Sequence, residues 1–424
     1  MNKVNRNSLP GSDDITRILL PNGITLLIRT NFNSPSVVIG GYLPCGSLFD
    51  PDKKLGLADF TASALLRGSQ KRSFQEIFEE LESAGANLSF SAGGHTAGFN
   101  CRCLVEDLPA LFNLLGDALR CPVFPGEQVE RLRAQFLTGL AIRAQDTAEM
   151  ASLTFDQIVF RDHPYSRPDD GWPETIQAIT RDDLVDFHRI HYGPRGLVIA
   201  VVGAAEPGLI SELVEKMLGN WSNLSQPDPP PLPELKPLQK STTRKFKIPG
   251  KAQSDLVIGT SGPHRKDPEY IPASLGNSVL GQFGMAGRIG EVVREQAGLA
   301  YYASSSLSAG IGPGAWDVSA GVNPRNVPKA RDLIIREIAR FVEKGVTSEE
   351  LADSQSNFIG RLPLSLESNA GVVNALLNIE RFSLGLDYYR DYADLVRKVT
   401  PKSVQEAASR YLHPDKLAIA IAGS

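Results

Sequence analysis

The sequence predicts an α+β protein made of two homologous α/β sandwich domains, each a mixed or antiparallel sheet with helices on one face. Three observations carry this expectation: an internal repeat, a proline-rich joint between the copies, and an alternation of strand-like and helix-like segments within each copy. At 424 residues the chain exceeds what one typical core accommodates.

The repeat comes first. Ala178-Ile179-Thr180 opens a polar helical stretch, followed by Pro194 and by the apolar run Leu197-Val198-Ile199-Ala200-Val201-Val202-Gly203. Lys398-Val399-Thr400 opens a second such stretch, followed by Pro414 and Leu417-Ala418-Ile419-Ala420-Ile421-Ala422-Gly423. Thr180 and Thr400, Pro194 and Pro414, and Gly203 and Gly423 are each 220 residues apart, and Val37-Val38 maps onto Val257-Ile258 at the same spacing. A shared offset at several places implies a duplicated unit of roughly 200 residues, itself an ordinary domain size. The segment from Gln226 to Pro237 holds six prolines. Proline fixes φ and lacks the amide donor, so this window is an extended, semi-rigid connector. The expected division is 1–220, a linker at 221–245, and 246–424.

Within the first copy, Gly23–Ile28 and Ser36–Leu43 read as strands from their β-branched content and flanking Asn and Pro. Helices fit 55–67 and 73–84, the second opening on Ser73-Phe74-Gln75-Glu76 with the spacing of a capping box. Leu108, Leu111, Phe112, Leu115 and Leu119 share one face of a helix over 106–119. Val129, Leu132, Phe136 and Leu140 do so over 126–144.

Composition excludes several function classes. The chain is 42% apolar and 22% charged, as soluble globular proteins are. A net charge of −4, a pI near 6.0 and the lack of any basic run argue against nucleic-acid binding, which needs a basic surface. Met1–Asp14 is polar, and no stretch of about 18 apolar residues exists, so the expectation is a cytoplasmic protein without a membrane span. Four cysteines, Cys45, Cys101, Cys103 and Cys121, suit a reducing compartment. Cys101 and Cys103 share a strand face, and His95 alone stands near them, which favours core packing over metal binding. His188 and His191 lie three apart near a helix end without a carboxylate at peptidase spacing. No G-x-S-x-G elbow and no local nucleophilic-cysteine signature appear.

One stretch carries a family signal. Gly46-Ser47-Leu48-Phe49-Asp50, then Gly56-Leu57-Ala58-Asp59-Phe60-Thr61-Ala62-Ser63-Ala64-Leu65-Leu66-Arg67-Gly68-Ser69, resembles the start of the pitrilysin/insulinase-like inverted-zincin metallopeptidases, which include insulin-degrading enzyme and the mitochondrial processing peptidases. In that family a helix carries H-x-x-E-H: two His bind zinc and the Glu is the general base for the attacking water. Here Asp59 stands at the first His, Ala62 at the Glu and Ser63 at the second His. The family's remaining ligand, a Glu some 76 residues on, falls near Gly139 or Leu140. A catalytic zinc needs about three protein ligands, so the resemblance implies a degenerate motif with no metal in this chain.

The second half holds a denser match. Leu280-Gly281-Gln282-Phe283-Gly284-Met285-Ala286-Gly287-Arg288-Ile289 leads into Gly290-Glu291-Val292-Val293-Arg294-Glu295-Gln296-Ala297-Gly298-Leu299-Ala300-Tyr301. It resembles the family's glycine-rich loop followed by V-R-E-x-x-G-L-A-Y. The resemblance extends to Phe160, His163-Pro164-Tyr165 and Gly171. It implies that Arg294, late in a helix, and Tyr301, early in the next strand, bind a substrate carbonyl. A guanidinium offers a planar fork of donors, and a phenol donates to an oxygen gaining negative charge. Gly281 and Gly284 allow close backbone approach. Phe283 and Met285 belong either to a peptide groove or to the core.

In two-chain members of the family one subunit supplies zinc and the other the Arg/Tyr pair. The resemblance thus implies a non-catalytic, substrate-binding subunit whose zinc-bearing partner completes a heterodimer or higher oligomer, with peptide as substrate. A scaffold resembling respiratory core proteins, and a peptide-binding homodimer, are the alternatives. An exposed edge at Asn87-Leu88-Ser89-Phe90-Ser91 is a candidate for strand addition by a peptide.

Overall fold

The computed structural model describes residues 8–282 and 287–424. Its strands are β1 (Thr16–Leu19), β2 (Thr25–Thr30), β3 (Ser36–Leu43), β4 (Asn87–Ala92), β5 (Ala97–Leu104), β6 (Val198–Gly203), β7 (Thr242–Lys247), β8 (Ser254–Ser261), β9 (Ala300–Leu307), β10 (Ala315–Val322) and β11 (Ala418–Gly423). They form two sheets, ordered β1-β2-β6-β3-β5-β4 and β7-β11-β8-β10-β9. With β1 set aside, the five remaining strands of the first sheet repeat the order of the second. Both sheets are mixed: β2 runs parallel to β6 and β7 parallel to β11, and the other pairs are antiparallel. The apolar runs that mark the repeat are β6 and β11, buried along their whole length.

Strand register corrects the repeat at one point. Val198 and Ala418 occupy the same place in β6 and β11, 220 apart, but their parallel partners are Thr25 and Thr242, and 242 − 25 is 217. Likewise Ile39 pairs with Val201 and Leu256 with Ile421, and 256 − 39 is 217. Val37-Val38 therefore corresponds to Ser254-Asp255, not to Val257-Ile258. The halves differ by three residues between these early strands and the late ones.

The helices of the first half are α1 (Leu57–Ala64), α2 (Phe74–Ser83), α3 (Leu108–Arg120), α4 (Gly126–Arg143), α5 (Thr147–Val159), α6 (Pro173–Ala178), α7 (Arg181–His191) and α8 (Pro207–Leu218). Those of the second are α9 (Tyr270–Asn277), α10 (Arg288–Gly290), α11 (Val327–Lys344), α12 (Ser348–Ser365), α13 (Asn369–Arg381), α14 (Tyr388–Arg397) and α15 (Pro401–Tyr411). The capping box at α2 is formed: the Ser73 side chain accepts from Glu76 N–H, and the Glu76 carboxylate accepts from Ser73 N–H at 2.7 Å. Thr180 and Thr400 cap α7 and α15 in the same reciprocal way.

Contacts divide the chain into two compact units that are discontinuous in sequence. The first takes the described residues up to Leu140, Pro168–Pro231 and Pro363–Arg390; the second takes Ala141–Arg167, Leu232–Leu362 and Asp391–Ser424. Strand β7 begins at Thr242, inside the segment read as linker.

In the first unit Leu26, Ile28, Val37, Ile39, Ile199 and Val201 point to one face, against Phe60, Leu111, Phe112, Leu115 and Leu184 from the helices. Leu27, Val38, Tyr42, Val198, Ala200 and Val202 point to the other, as strand alternation requires. The sequence placed helices on one face only. Here the second face is also covered, by Val372, Val373, Leu376 and Ile379 of α13, which come from the second half of the chain. The second unit mirrors this: Met150, Phe155 and Ile158 of α5, from the first half, pack on Val257, Ala315, Ala418, Ala420 and Ala422. Cys45, Cys101 and Cys103 are buried free thiols in the first unit's core.

Candidate functional site

Helix α1 starts where Gly56 adopts a left-handed φ of +93°, a conformation that favours glycine. The buried Asp50 carboxylate accepts from Gly56 N–H at 2.8 Å and Ala58 N–H at 2.9 Å, satisfying two of the helix's free amides. Burial pushes Asp50 up to about 7 against those hydrogen bonds. This role was not read from the sequence. The signal available was an Asp six residues ahead of a Gly that opens an apolar helix.

The three positions of the degenerate motif lie on α1. Asp59 is half-buried and accepts from Ala92 N–H at 3.0 Å, at the end of edge strand β4. Burial, then the neighbouring Asp170 and Asp169 carboxylates, push it up to about 6. Ala62 is fully buried and Ser63 half-buried. Leu140 lies in the core, and Gly139 offers no ligand. One carboxylate, a methyl and a hydroxyl do not make a zinc donor set, and no group of three His, Cys, Asp or Glu among the described residues is arranged to hold a metal. His188 and His191 serve packing. His188 Nε2 lies 2.9 Å from Leu119 O, and His191 contacts the rings of Phe49 and Phe187.

The glycine-rich loop belongs to the second unit. Helix α9 passes into a widened turn over Ser278–Gln282. Asn277 bolts it down: its side-chain oxygen accepts from Trp316 Nε1 at 3.1 Å and its carbonyl from Ser305 Oγ at 3.0 Å. The ends of the loop meet, since a Cβ on Gly287 would stand 2.3 Å from Gly281 Cα. No side chain fits there. Phe283, Gly284 and Met285 lie outside the described residues.

After α10 the chain continues as a π turn over Glu291–Gln296, a rare form often met at functional sites. Arg294 sits in this turn rather than in a regular α-helix. Gly298 N–H donates to Arg294 O at 3.0 Å and Leu299 N–H to Val293 O at 3.1 Å, with Gly298 at φ +63°, a glycine-terminated helix end. The Arg294 guanidinium is exposed, 3.7 Å from Glu295. Tyr301 follows on β9, the edge of its sheet, with 63% of its surface exposed. Tyr302 points to the opposite face and donates to the buried Asp255 at 2.6 Å. Asp255 also accepts from Gln253 and from Thr147 of α5. Tyr302 is thus engaged in holding α5, whereas Tyr301 presents its phenol outward.

The family models decide the relationship. One described as "Insulinase (Peptidase family M16)" matches residues 25–168, and one described as "Peptidase M16 inactive domain" matches 178–358. The chain belongs to peptidase family M16. Among its relatives, an uncharacterized zinc protease of Streptomyces coelicolor is 26% identical over 94% of this chain and 87% of that protein. Mitochondrial-processing peptidase subunit beta of Saccharomyces cerevisiae is 24% identical over 93% and 86%. The crystal structure of a peptidase M16 inactive domain from Pseudomonas fluorescens superposes with a TM-score of 0.90 at 24% identity, covering 96% of this chain and 97% of that one. The M16 fold is therefore present over nearly the whole chain. No described helix is long and apolar enough to cross a membrane.

Proposed function

We propose that this M16 member is the non-catalytic, peptide-binding subunit of a heteromeric zinc peptidase. Its partner carries H-x-x-E-H and the zinc, and Arg294 and Tyr301 complete the partner's active site. One contrast supports the reading. The α1 positions keep one carboxylate, Asp59, and neither His nor Glu, while Arg294 and Tyr301 are exposed on a π turn and an edge strand. One relative is by name the beta subunit of a processing peptidase, which is consistent with a multi-subunit assembly.

Chemically, the Arg294 fork donates to a peptide carbonyl, and the Tyr301 hydroxyl donates to the same oxygen as it gains charge at the tetrahedral stage. Edge strand β4, taken by itself, is a candidate for main-chain pairing with a peptide independent of sequence. The test mixes this chain with a similar-length chain bearing H-x-x-E-H; a neighbouring gene is the natural place to look for it. Chelator-sensitive peptide hydrolysis should appear only on mixing. Full activity of the pure, metal-free chain would overturn the proposal. An unchanged kcat/KM for Arg294→Ala in the assembled complex would favour a scaffold subunit.

A further inference from the structure

The two sheets differ by one strand. In the first unit the outer edge of β2 is filled by β1, antiparallel, from Thr16 opposite Ile28 to Leu19 opposite Thr25. By register the counterpart of β2 is β7, with Thr242 at the place of Thr25 and Lys245 at that of Ile28. β7 ends its sheet, and no described strand lies beyond it. Thr243–Lys247 are all exposed, whereas Thr25–Ile28 of β2 are buried. The outward main-chain donors and acceptors of β7 are an open ladder.

The side chains on this ladder share one sign. From Lys236 to Lys251 the sequence holds Lys236, Lys240, Arg244, Lys245, Lys247 and Lys251 and no Asp or Glu, in a chain of net charge −4. Because these residues are interleaved with others they do not form a run, and composition hides them. Strand alternation puts Lys245 and Lys247 on one face, about 7 Å apart, and Arg244 on the other with the exposed ring of Phe246. A linear row of charges beside a linear ladder fits an extended chain with acidic side chains at alternate positions. Directly opposed residues on paired strands face one another, so acidic partners of Lys245 and Lys247 would be stabilised.

We infer that the outer edge of β7 docks an acidic, extended segment of a partner polypeptide, which adds antiparallel against Thr242–Lys245 as β1 adds to β2. The first unit carries its sixth strand in its own chain; the second receives one from outside. This inference is independent of any zinc-bearing partner.

A fluorescent synthetic peptide alternating Glu and Val tests it on the full chain by anisotropy, with a Lys-Val peptide and a backbone N-methylated Glu-Val peptide as controls. The Glu-Val peptide should bind, weakening at least about tenfold as salt rises to about 0.5 M, where the screening length falls to a few ångströms. The Lys-Val peptide should not bind. The triple variant Arg244→Glu, Lys245→Glu, Lys247→Glu should lose binding at least about tenfold with its circular dichroism and melting unchanged, since these side chains are exposed. Amides of β7 should gain exchange protection in the complex. Equal binding of the N-methylated peptide would overturn strand addition. Binding to phosphatidylserine vesicles without peptide binding would make the strip a headgroup site. Self-association that protects β7 without peptide would give the edge to a second copy. No binding at all would leave the lysines as guards of a bare edge.

Discussion

On the six-stranded sheet, α13 lays Val373 and Leu376 against Val198, Ala200 and Val202, and Gly40 leaves room, since a Cβ there would stand 2.6 Å from a Val373 methyl. On the five-stranded sheet, α5 lays Met150, Phe155 and Ile158 on Ala418, Ala420 and Ala422. The same crossing is filled by medium side chains from both layers in one unit and by large on small in the other. The side-chain volume is divided differently between the two layers. Each seat fits one helix, so the helix follows the surface that matches it rather than the half of the sequence it comes from.

The strongest test removes the large partner. Phe155→Ala should cost about 3–5 kcal/mol, because alanine strands cannot refill the space. Its damage should appear as lost amide-exchange protection in β8, β10 and β11. Leu376→Ala should cost about 2–5 kcal/mol and expose β3 and β6 instead. If Phe155→Ala loosened β3 and β6, the assignment of α5 to the second unit would be broken.

The comparison extends to chemistry. In the first unit α1 holds a half-buried Asp59 and Ser63 and a buried Ala62; in the second, Arg294 and Tyr301 are exposed. In an assembled peptidase, Arg294→Ala and Tyr301→Ala should each lower kcat and kcat/KM together by about 10²–10³-fold, the usual loss for one donor to a developing oxyanion. Thermal melts of the single chain should not move. Equal losses from Tyr302→Phe would redirect the role to the Asp255 network.

A smaller effect sharpens the first unit's side. Asp59 has an ordinary carboxyl value unfolded and about 6 folded, because burial disfavours its charge. A raised acid is neutral, and without cost, below the unfolded value. The cost grows as pH rises from the unfolded value to the folded one and is complete above the folded value. Asp59→Asn keeps an acceptor for Ala92 N–H and removes the charge. It should stabilise the protein by on the order of 2 kcal/mol near pH 8 and by nothing below about pH 4. Urea unfolding at the two pH values reads the difference.

These contrasts divide what was legible in the sequence from what was not. The repeat is visible as matching segments at one offset, and the capping box at Ser73 and the strands β2 and β3 are local patterns, visible because periodicity and capping act over a few residues. Family M16 was legible in the residues from Gly46 to Ser69 and from Leu280 to Tyr301. The exchange of α5 and α13 was not, because amphipathic helices advertise a buried face without saying which sheet buries it. The 217-residue register was hidden for a related reason: β-branched strands look alike when shifted by a few positions, and only pairing fixes them. The open edge of β7 is a property of strand order, which no single segment carries.

The finest contrast is at the two duplicated caps. Thr180 and Thr400 each accept from the amide three residues on, and the third residue reaches back: Asp183 in the first unit, Ser403 in the second. Thr180→Ala and Thr400→Ala should each cost about 1 kcal/mol, the usual loss of a cap. The two caps differ in charge. Asp183 brings a carboxylate to the positive end of α7 and pairs with Lys54; Ser403 brings none to α15. Ser403→Asp should therefore stabilise the second unit by about 0.3–1 kcal/mol at low ionic strength, fading as salt screens the helix end. The reverse change, Asp183→Ser, should lose at least as much, because it also leaves Lys54 without its partner. If the two swaps were equal in size and indifferent to salt, the caps would be interchangeable hydrogen-bond devices. If both fade with salt and Asp183→Ser is the larger, the halves have diverged in electrostatics at a site where their backbone has not.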